Sequence, residues 1–382
     1  MSHLRDQYVI VGVGETEFGR LPHMSPMAIQ VEAAKKAIED AGLTIKDIDG
    51  VVGQPGSRNS GLWAIRVAQN LGILPLRYND TCDQAGVGPC MLVQSAMGAI
   101  AAGLCDIVVC TTGQNELTTP REQGIRGWAA GGEFTAPFGL FGQPANYALT
   151  ARRHMVEYGT KSEQFGAIAV AMRKHASLTH NAMMREPITL ADHQESRMIA
   201  DPFRLLDCCL VSDGGAAVVV TSADRAKDLR HPPVYISGVS IMHDFADLTD
   251  AASLTNMGAK ESGRRAMEMA GVTPKEIDVA ELYDNFTYTV LVTLEDYGFC
   301  EKGEGGAFVE GGRIELGGDL PVNTHGGLLS KAHFGMLHIT EAVMQLRGEC
   351  GLRQVNNAEI AIVSGTGGVL SSHSTMILRR GL

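Results

Sequence analysis

The chain is poor in aromatic residues, which make up 5% of its 382 positions and include only two Trp. It also lacks an excess of basic charge: 32 Lys and Arg stand against 43 Asp and Glu, a formal net charge of −11. Phosphate contacts draw on Lys and Arg in excess, so general nucleic-acid binding is excluded. No apolar run approaches the roughly 18 residues of a membrane-spanning helix. The stretch Tyr8–Val13 is too short for a signal-peptide core, and its β-branched residues suit a strand. None of the eight cysteines, at 82, 90, 105, 110, 208, 209, 300 and 350, forms a C-x-x-C pair. A structural zinc site is therefore not expected, nor any other metal. The expectation is reduced thiols and a cytoplasmic location.

What is present suits a large folded unit. Apolar residues reach 45%, charged residues only 20%, and glycine is abundant at 45 positions. Such a composition can bury a core, and the length suits two domains or one fused α/β unit.

A duplication favours the fused unit. Lys36–Asp49 (KAIEDAGLTIKDID) and Arg265–Asp278 (RAMEMAGVTPKEID) align at an offset of 229, with eight of fourteen positions identical. Each reads as a helix closed by glycine, a short linker and a strand. A β-rich run precedes each helix, at Tyr8–Val13 and Val234–Ile241, and another follows it, at Gly50–Val52 and Val279–Leu282. Later elements match as well: helices over Met91–Gly103 and Met336–Gly348, strands over Ile107–Thr112 and Ile360–Val363, and final strands over Ala216–Thr221 and Ser374–Arg379. Two β-α-β halves, 1–230 and 231–382, predict a layered α/β protein with buried sheets. The first half holds an excess at about 114–210, which includes Trp128 and helical runs near Gln143–Tyr158 and Ser162–Ser177. That excess is too long to lack structure and reads as a loop domain over a site. The apolar stretch Leu104–Thr112 suits a dimer interface or core.

In layered α/β folds, chemistry gathers at strand C-termini and helix N-termini. Four such places carry reactive residue types: Asp80–Pro89, Asn323–His333, Glu281–Phe286 and Ser364–Val369. His333 can act as acid, base or oxyanion donor. His325, beside Gly326-Gly327, reads equally as a turn residue. Tyr283 can deliver a proton from its strand end. Asp284 suits a helix cap as well as catalysis. Cys82 and Cys90 flank a glycine-rich turn, and a thiol near a helix N-terminus can be acidified into a nucleophile. Cys208-Cys209 reads as core. Gly365–Gly368 offers either backbone N–H groups for an oxyanion or a tight turn. Gly12-Val-Gly14 is not a dinucleotide fingerprint, because Glu17 stands where the third glycine would be.

Taken together, these pieces resemble the thiolase superfamily, in its sterol-carrier-protein-type and lipid-transfer-protein-like branch. Asn323-Thr-His-Gly-Gly-Leu-Leu-Ser-Lys-Ala-His333 is similar to the family's N-x-x-G-G-x-x-S-K-G-H, whose final His is catalytic and falls on His333. Glu281-Leu-Tyr-Asp-Asn-Phe286 is similar to E-L-H-D-C-F, whose His binds the thioester oxygen and falls on Tyr283. Asp213-Gly-Gly-Ala-Ala217 is similar to D-G-A-A-A. The resemblance implies the thiolase fold: a five-layer α-β-α-β-α core of two duplicated halves with a loop-domain insertion.

Two departures stand out. The family's nucleophilic Cys falls at Gly86 or Ala85, and its second Cys at Ser364. The same loss marks the aldolases that shorten steroid side chains as CoA thioesters. The chain is similar to them at Phe203–Cys209, at Tyr283-Asp284 with Phe286-Thr287, at Leu294–Glu304 and at Cys90. Tyrosines replace both catalytic His positions there, whereas this chain pairs Tyr283 with His333.

The resemblance implies an acyl-CoA substrate and no bound cofactor beyond the CoA of that substrate. The expected reaction is retro-aldol cleavage of a 3-hydroxyacyl-CoA. Tyr283 or His333 takes the hydroxyl proton and the other holds the enolate, with Gly86, Gly326, Gly327 and Gly367 as loop or oxyanion positions. The alternatives are a thiolase or Claisen-type acyltransferase using Cys82 or Cys90, and a catalytically silent subunit. Arg152, Arg153, Arg173 and Lys174 are candidates for a CoA-binding basic patch. A homodimer and a small zinc-ribbon/OB-fold partner subunit are implied by the resemblance, whereas nucleic acid and membrane are not.

Overall fold

The computed structural model describes residues 4–55, 61–119, 135–140 and 142–381; Trp128 lies outside them. The strands are β1 (Tyr8–Glu15), β2 (Gly50–Gln54), β3 (Tyr78–Thr81), β4 (Ile107–Asn115), β5 (Met198–Ala200), β6 (Phe203–Arg204), β7 (Asp213–Ser222), β8 (Val234–His243), β9 (Val279–Glu281), β10 (Ile360–Gly367) and β11 (Ser372–Arg380). Apart from the small β5–β6 pair, they form one nine-stranded sheet in the order β3-β2-β4-β7-β1-β8-β11-β10-β9. The order is nearly palindromic. β1, β7, β4 and β2 run outward on one side, and β8, β11, β10 and β9 on the other. β2 runs parallel to β4, and β9 parallel to β10. The halves meet at a thin seam, where β1 and β8 share only the pairs Val9–Tyr235 and Ile10–Val234.

The longer helices are α1 (Pro26–Asp40), α2 (Trp63–Leu71), α3 (Gly88–Ala101), α4 (Gly142–Tyr158), α5 (Ser162–Ser177), α6 (Leu190–Glu195), α7 (Ala259–Ala270), α8 (Thr287–Asp296) and α9 (Met336–Arg347). Strand residues alternate between two faces, and here each face meets a different apolar layer. Val9, Val11, Val51, Val109 and Val219 pack with α1 and α2. Ile10, Val52, Val108, Val218, Val363 and Met376 pack with α3 and α9 in the centre. Ala280, Ile362 and Ile377 face α5, α7 and α8. Both faces are covered, which is why these strands read as continuous apolar runs. The result is the five-layer α-β-α-β-α arrangement.

The duplicated segments behave alike. Thr44 and Asp47 form a capping box at 45–47, and Thr273 and Glu276 form its copy at 274–276. The Asp49 carboxylate accepts from the N–H groups of Asp106 and Ile107, and that of Asp278 accepts from Glu359 and Ile360. Each thereby positions the start of the neighbouring central strand. The Gly12 and Gly14 pair serves packing: a Cβ on Gly12 would lie 2.1 Å from the Ala37 carbonyl oxygen of α1.

One expectation is corrected and one choice is decided. The stretch 364–367 is not a loop; it extends β10, with Ser364 opposite Thr375 and Gly367 opposite Ser372. The register of β11 holds it in the ladder. Of the two readings of 104–112, core holds for 107–112, because β4 lies between β2 and β7 and is buried on both faces, whereas Leu104 before it is exposed.

Candidate active site

The C-terminal ends of β2, β4, β9 and β10 open into one cavity of about 530 Å³. Gln54, Gln114, Tyr283 and Thr366 stand at those ends, Gly86 and His333 come from the two counterpart loops, and Tyr147 of α4 closes the cavity. The insertion is anchored here by ring packing. Tyr147 lies 4.7 Å from Phe286, which stacks on Phe203 at 4.9 Å. The Tyr147 hydroxyl donates to the Gly368 carbonyl at 3.1 Å. Asp213 holds the insertion's first turn by accepting from the N–H groups of Leu117 and Thr118.

Tyr283 is 7% exposed. Its N–H donates to the Ser364 hydroxyl at 2.9 Å, so Ser364 orients the tyrosine instead of lining the cavity. Burial pushes the phenol well above its ordinary value of 10, and Cys209, Tyr147 and Asp284 add to the effect. At neutral pH the group is therefore a neutral hydrogen-bond donor. Its ring lies against Gly86. A Cβ there would sit 2.4 Å from Tyr283 Cζ and 2.6 Å from its hydroxyl. The tyrosine thus fills the space into which a side chain at position 86 would project.

His333 is half-buried, and its backbone N–H donates to the Ser212 hydroxyl at 2.8 Å. It shares the cavity with Tyr283 and Gly86.

The thiol candidates fall elsewhere. Neither Cys82 nor Cys90 lines the cavity. Burial pushes the Cys82 thiol up to about 12, with the Asp80 carboxylate adding to it. Burial pushes Cys90 up to about 11 against a hydrogen bond with Ser374. Neither thiol is acidified. Cys209, read as core, does line the cavity, placed there by its N–H bond to the Asn285 carbonyl at 3.0 Å. Burial also raises its thiol, so it is no ready nucleophile.

Several loop assignments are also corrected. The Gly326 N–H is used by the Asn323 carbonyl at 2.8 Å, which leaves no donor for an oxyanion. Gly327 packs on Asp284, where a Cβ would lie 1.9 Å from Oδ2. Gly367 belongs to β10, although its neighbours Thr366 and Gly368 reach the cavity. Asp284 is fully buried and accepts from the N–H groups of Leu328 (2.8 Å) and Leu329 (3.3 Å). It caps the turn at 327–330 and does not face the cavity. His325 is buried behind it, paired with Glu281 at 3.1 Å.

The basic candidates do not gather into a patch. Arg152 pairs with Asp201, Arg153 with Glu157 and Lys174 with Glu315, all on the surface. Arg173 is buried, donating to the Ser330 hydroxyl and the Glu186 carbonyl. It supports the Asn323–His333 loop. Lys331 of that loop is 1% exposed and pairs with Glu15 of β1 at 2.8 Å, which bolts the second half to the first.

Sequence reasoning missed Tyr147, Cys209, Asn285 and Gln54 as cavity residues. One signal was available for Gln54, which is the duplicate of Tyr283 at the offset of 229. It donates to the Ala85 carbonyl at 2.9 Å and so sets the loop that carries Gly86.

Comparison with known proteins agrees with this geometry. Residues 240–380 match the Thiolase C-terminal domain-like family. The chain is 40% identical over 383 residues to a steroid side-chain-cleaving aldolase of Thermomonospora curvata, covering 96% of this chain and 97% of that protein. It is 38% identical over 381 residues to the 17-hydroxy-3-oxo-4-pregnene-20-carboxyl-CoA lyase of Mycobacterium tuberculosis, covering 95% and 97%. Among solved structures, it superposes on the Ltp2-ChsH2(DUF35) aldolase with a TM-score of 0.92 at 39% identity, covering 99% of each chain.

Proposed function

The chain belongs to the thiolase superfamily, in the branch close to the steroid side-chain aldolases, and from that premise we propose that it is a carbon–carbon lyase that cleaves a 3-hydroxyacyl-CoA by a retro-aldol step. One observation carries the reading. Position 86 has no side chain, and Tyr283 fills the space that one would take. A thiolase needs a thiolate to carry the acyl group; a retro-aldolase needs only a base and a stabilised enolate.

The two groups divide that work. The His333 imidazole takes the proton from the 3-hydroxyl. The electrons of that O–H bond form the carbonyl as the C2–C3 bond breaks, and the bond's electrons move into the thioester as an enolate. The neutral Tyr283 phenol donates to the enolate oxygen, a bond that strengthens as charge develops. The proton held by His333 returns to C2, which gives a shorter acyl-CoA and a free ketone or aldehyde. The thiolase alternative loses its nucleophiles, because Cys82 and Cys90 lie outside the cavity with raised thiols.

The relatives named for steroid substrates support a steroid bearing a short 3-hydroxyacyl-CoA side chain as the substrate class. CoA is part of that substrate, and the chain needs no cofactor of its own for the reaction. A homodimer and a partner subunit of the DUF35 type, the type paired with Ltp2 in the superposed aldolase, complete the proposal, together with a cytoplasmic location. No described helix is long and apolar enough to cross a membrane.

The test is to mix the chain, with and without such a partner, with a steroid 3-hydroxyacyl-CoA and no free CoA. Release of steroid ketone together with a short acyl-CoA is expected. No release under either condition, or release only when free CoA is added, overturns the reading.

A further inference from the structure

Behind Tyr283, outside the cavity, lies a cluster that the proposed reaction does not use. Glu281 ends β9, His325 sits on the 323–326 loop and His338 on the first turn of α9. All three are fully buried. One ligand atom from each falls within 4.8 Å of the others. Glu281 Oε2, both ring nitrogens of His325 and both of His338 lack aligned hydrogen bonds. Leaving several polar atoms unsatisfied in one buried spot is costly. The duplicated frame makes the cost more telling. At the offset of 229 Glu281 corresponds to Val52, and in the paired central helices His338 corresponds to Val93. Both valines sit in the central apolar layer, so the fold itself calls for no polar group at these positions.

We infer that Glu281, His325 and His338 form a binding site for a divalent transition-metal ion, zinc being the best match. Two imidazoles and a carboxylate are a zinc donor set, and donors at bond lengths of about 2.0–2.1 Å around a tetrahedral ion lie about 3.3 Å apart. Glu281 Oε2 has His325 Nδ1 at 3.1 Å and His338 Nδ1 at 3.7 Å. The surroundings complete the pattern. His338 turns its other nitrogen, Nε2, toward Asp284 Oδ1 at 3.4 Å, as a ligating histidine does toward an orienting carboxylate. Glu281 Oε1 accepts from the Thr324 N–H and lies 2.9 Å from its hydroxyl, which leaves Oε2 for the ion. The chain supplies three donors, and a single bound water would complete a tetrahedral set. The ion ties together the three elements that carry Tyr283 and His333, and the Tyr283 ring packs edge-on against His338 at 6.2 Å. Its role is to hold that geometry, without contact with substrate.

The inference is independent of the aldolase reading, because its readouts are metal content, spectrum and melting temperature. The full chain, tag-free and without a partner subunit, is refolded in the presence of Zn2+ or Co2+ and dialysed. About one ion per chain is expected, with a melting temperature above that of protein refolded in chelator. The cobalt form is expected to show ligand-field bands without a thiolate band, since no cysteine is a ligand. Glu281→Gln keeps volume while removing the anionic donor, and His338→Asn removes an imidazole; each is expected to lower retained metal by about tenfold or more. The inference is overturned if the wild-type chain retains only about a tenth of an equivalent, if a thiolate band dominates, or if both variants hold metal as the wild type does. In the first case the trio is a proton-paired network. The wild-type measurements decide the matter even if a variant fails to fold.

Discussion

The two halves share a frame and differ in what they place on it. At the end of β2 stands Gln54, and at its duplicate position beyond β9 stands Tyr283; both reach the cavity. Gln54 steadies a loop by one hydrogen bond, while Tyr283 presents a phenol to the cavity. Further back along the same two strands, Val52 lies in the apolar centre whereas its duplicate Glu281 faces two histidines. The duplication preserved what builds strands and caps. The candidate catalytic groups, Tyr283 and His333, sit on the second copy, and the first copy and its insertion shape the space around them.

The largest expected effect tests that division. Tyr283→Phe keeps the ring that fills the space above Gly86 and removes only the donor. Its kcat should fall by about 10²–10³-fold with the melting temperature nearly unchanged. Gln54→Leu should show a smaller loss of kcat. Steady-state assays of both variants break the comparison if Gln54→Leu is the more damaging.

The bolt between the halves is expected to govern acid stability. Burial alone would raise Glu15, but Lys331, with the Thr340 hydroxyl, pulls its carboxyl down to about 2 from 4.5. A depressed carboxyl contributes stability above its unfolded value and loses it as pH falls toward its folded one. The contribution, on the order of 3 kcal/mol, is therefore complete above about 4.5 and lost between about 4.5 and about 2. Glu15→Gln should be less stable than wild type at neutral pH and should converge with it near the acid end. Urea denaturation at a series of pH values reads this directly; a constant gap across that window would refute the bolt.

Much of this was legible in sequence because it is local. Capping boxes, glycine stops and alternating strands are written in neighbouring residues, so the repeated 36–49 and 265–278 segments predicted their own structure. Tyr283 and His333 were legible because they lie within short motifs. The rest depends on partners distant in the chain. That Arg173 supports Ser330, or that Tyr147 closes the cavity, is decided only after the insertion folds back. Reading 364–367 as a loop followed glycine content; pairing with β11 overrode it. The Glu281 cluster was invisible for the same reason, since its members are scattered from 281 to 338 on three elements.

Glycine placement sharpens the comparison at the loop. A Cβ on Gly86 would lie 2.2 Å from the Thr366 carbonyl oxygen as well as against Tyr283, while Gly98, on the exposed face of α3, has nothing within 4 Å. Gly86→Ala should lower stability by about 3 kcal/mol, because backbone of the other half has to move. Gly98→Ala should raise it by about 0.4–1 kcal/mol, by restricting the unfolded chain. Thermal melts of the pair distinguish a steric contact between halves from a general intolerance of the α3 region.

The smallest effect bears on the frame itself. Asp49 and Asp278 each accept two backbone N–H groups at the start of the adjoining central strand, at 2.8–2.9 Å in both halves. Removing either carboxylate leaves two donors at a strand start without their acceptor, which should cost about 1–2 kcal/mol. If the halves are equivalent as scaffold and unequal only in chemistry, Asp49→Ala and Asp278→Ala should lower stability by similar amounts and leave kcat nearly untouched. Asp49 also pairs with Arg77 at 3.0 Å on the surface, a contact of small value in water, so any excess loss at Asp49 should vanish in high salt. A loss that stays lopsided in high salt would mean that the second copy relies on the active-site loops for its rigidity as well as for its chemistry.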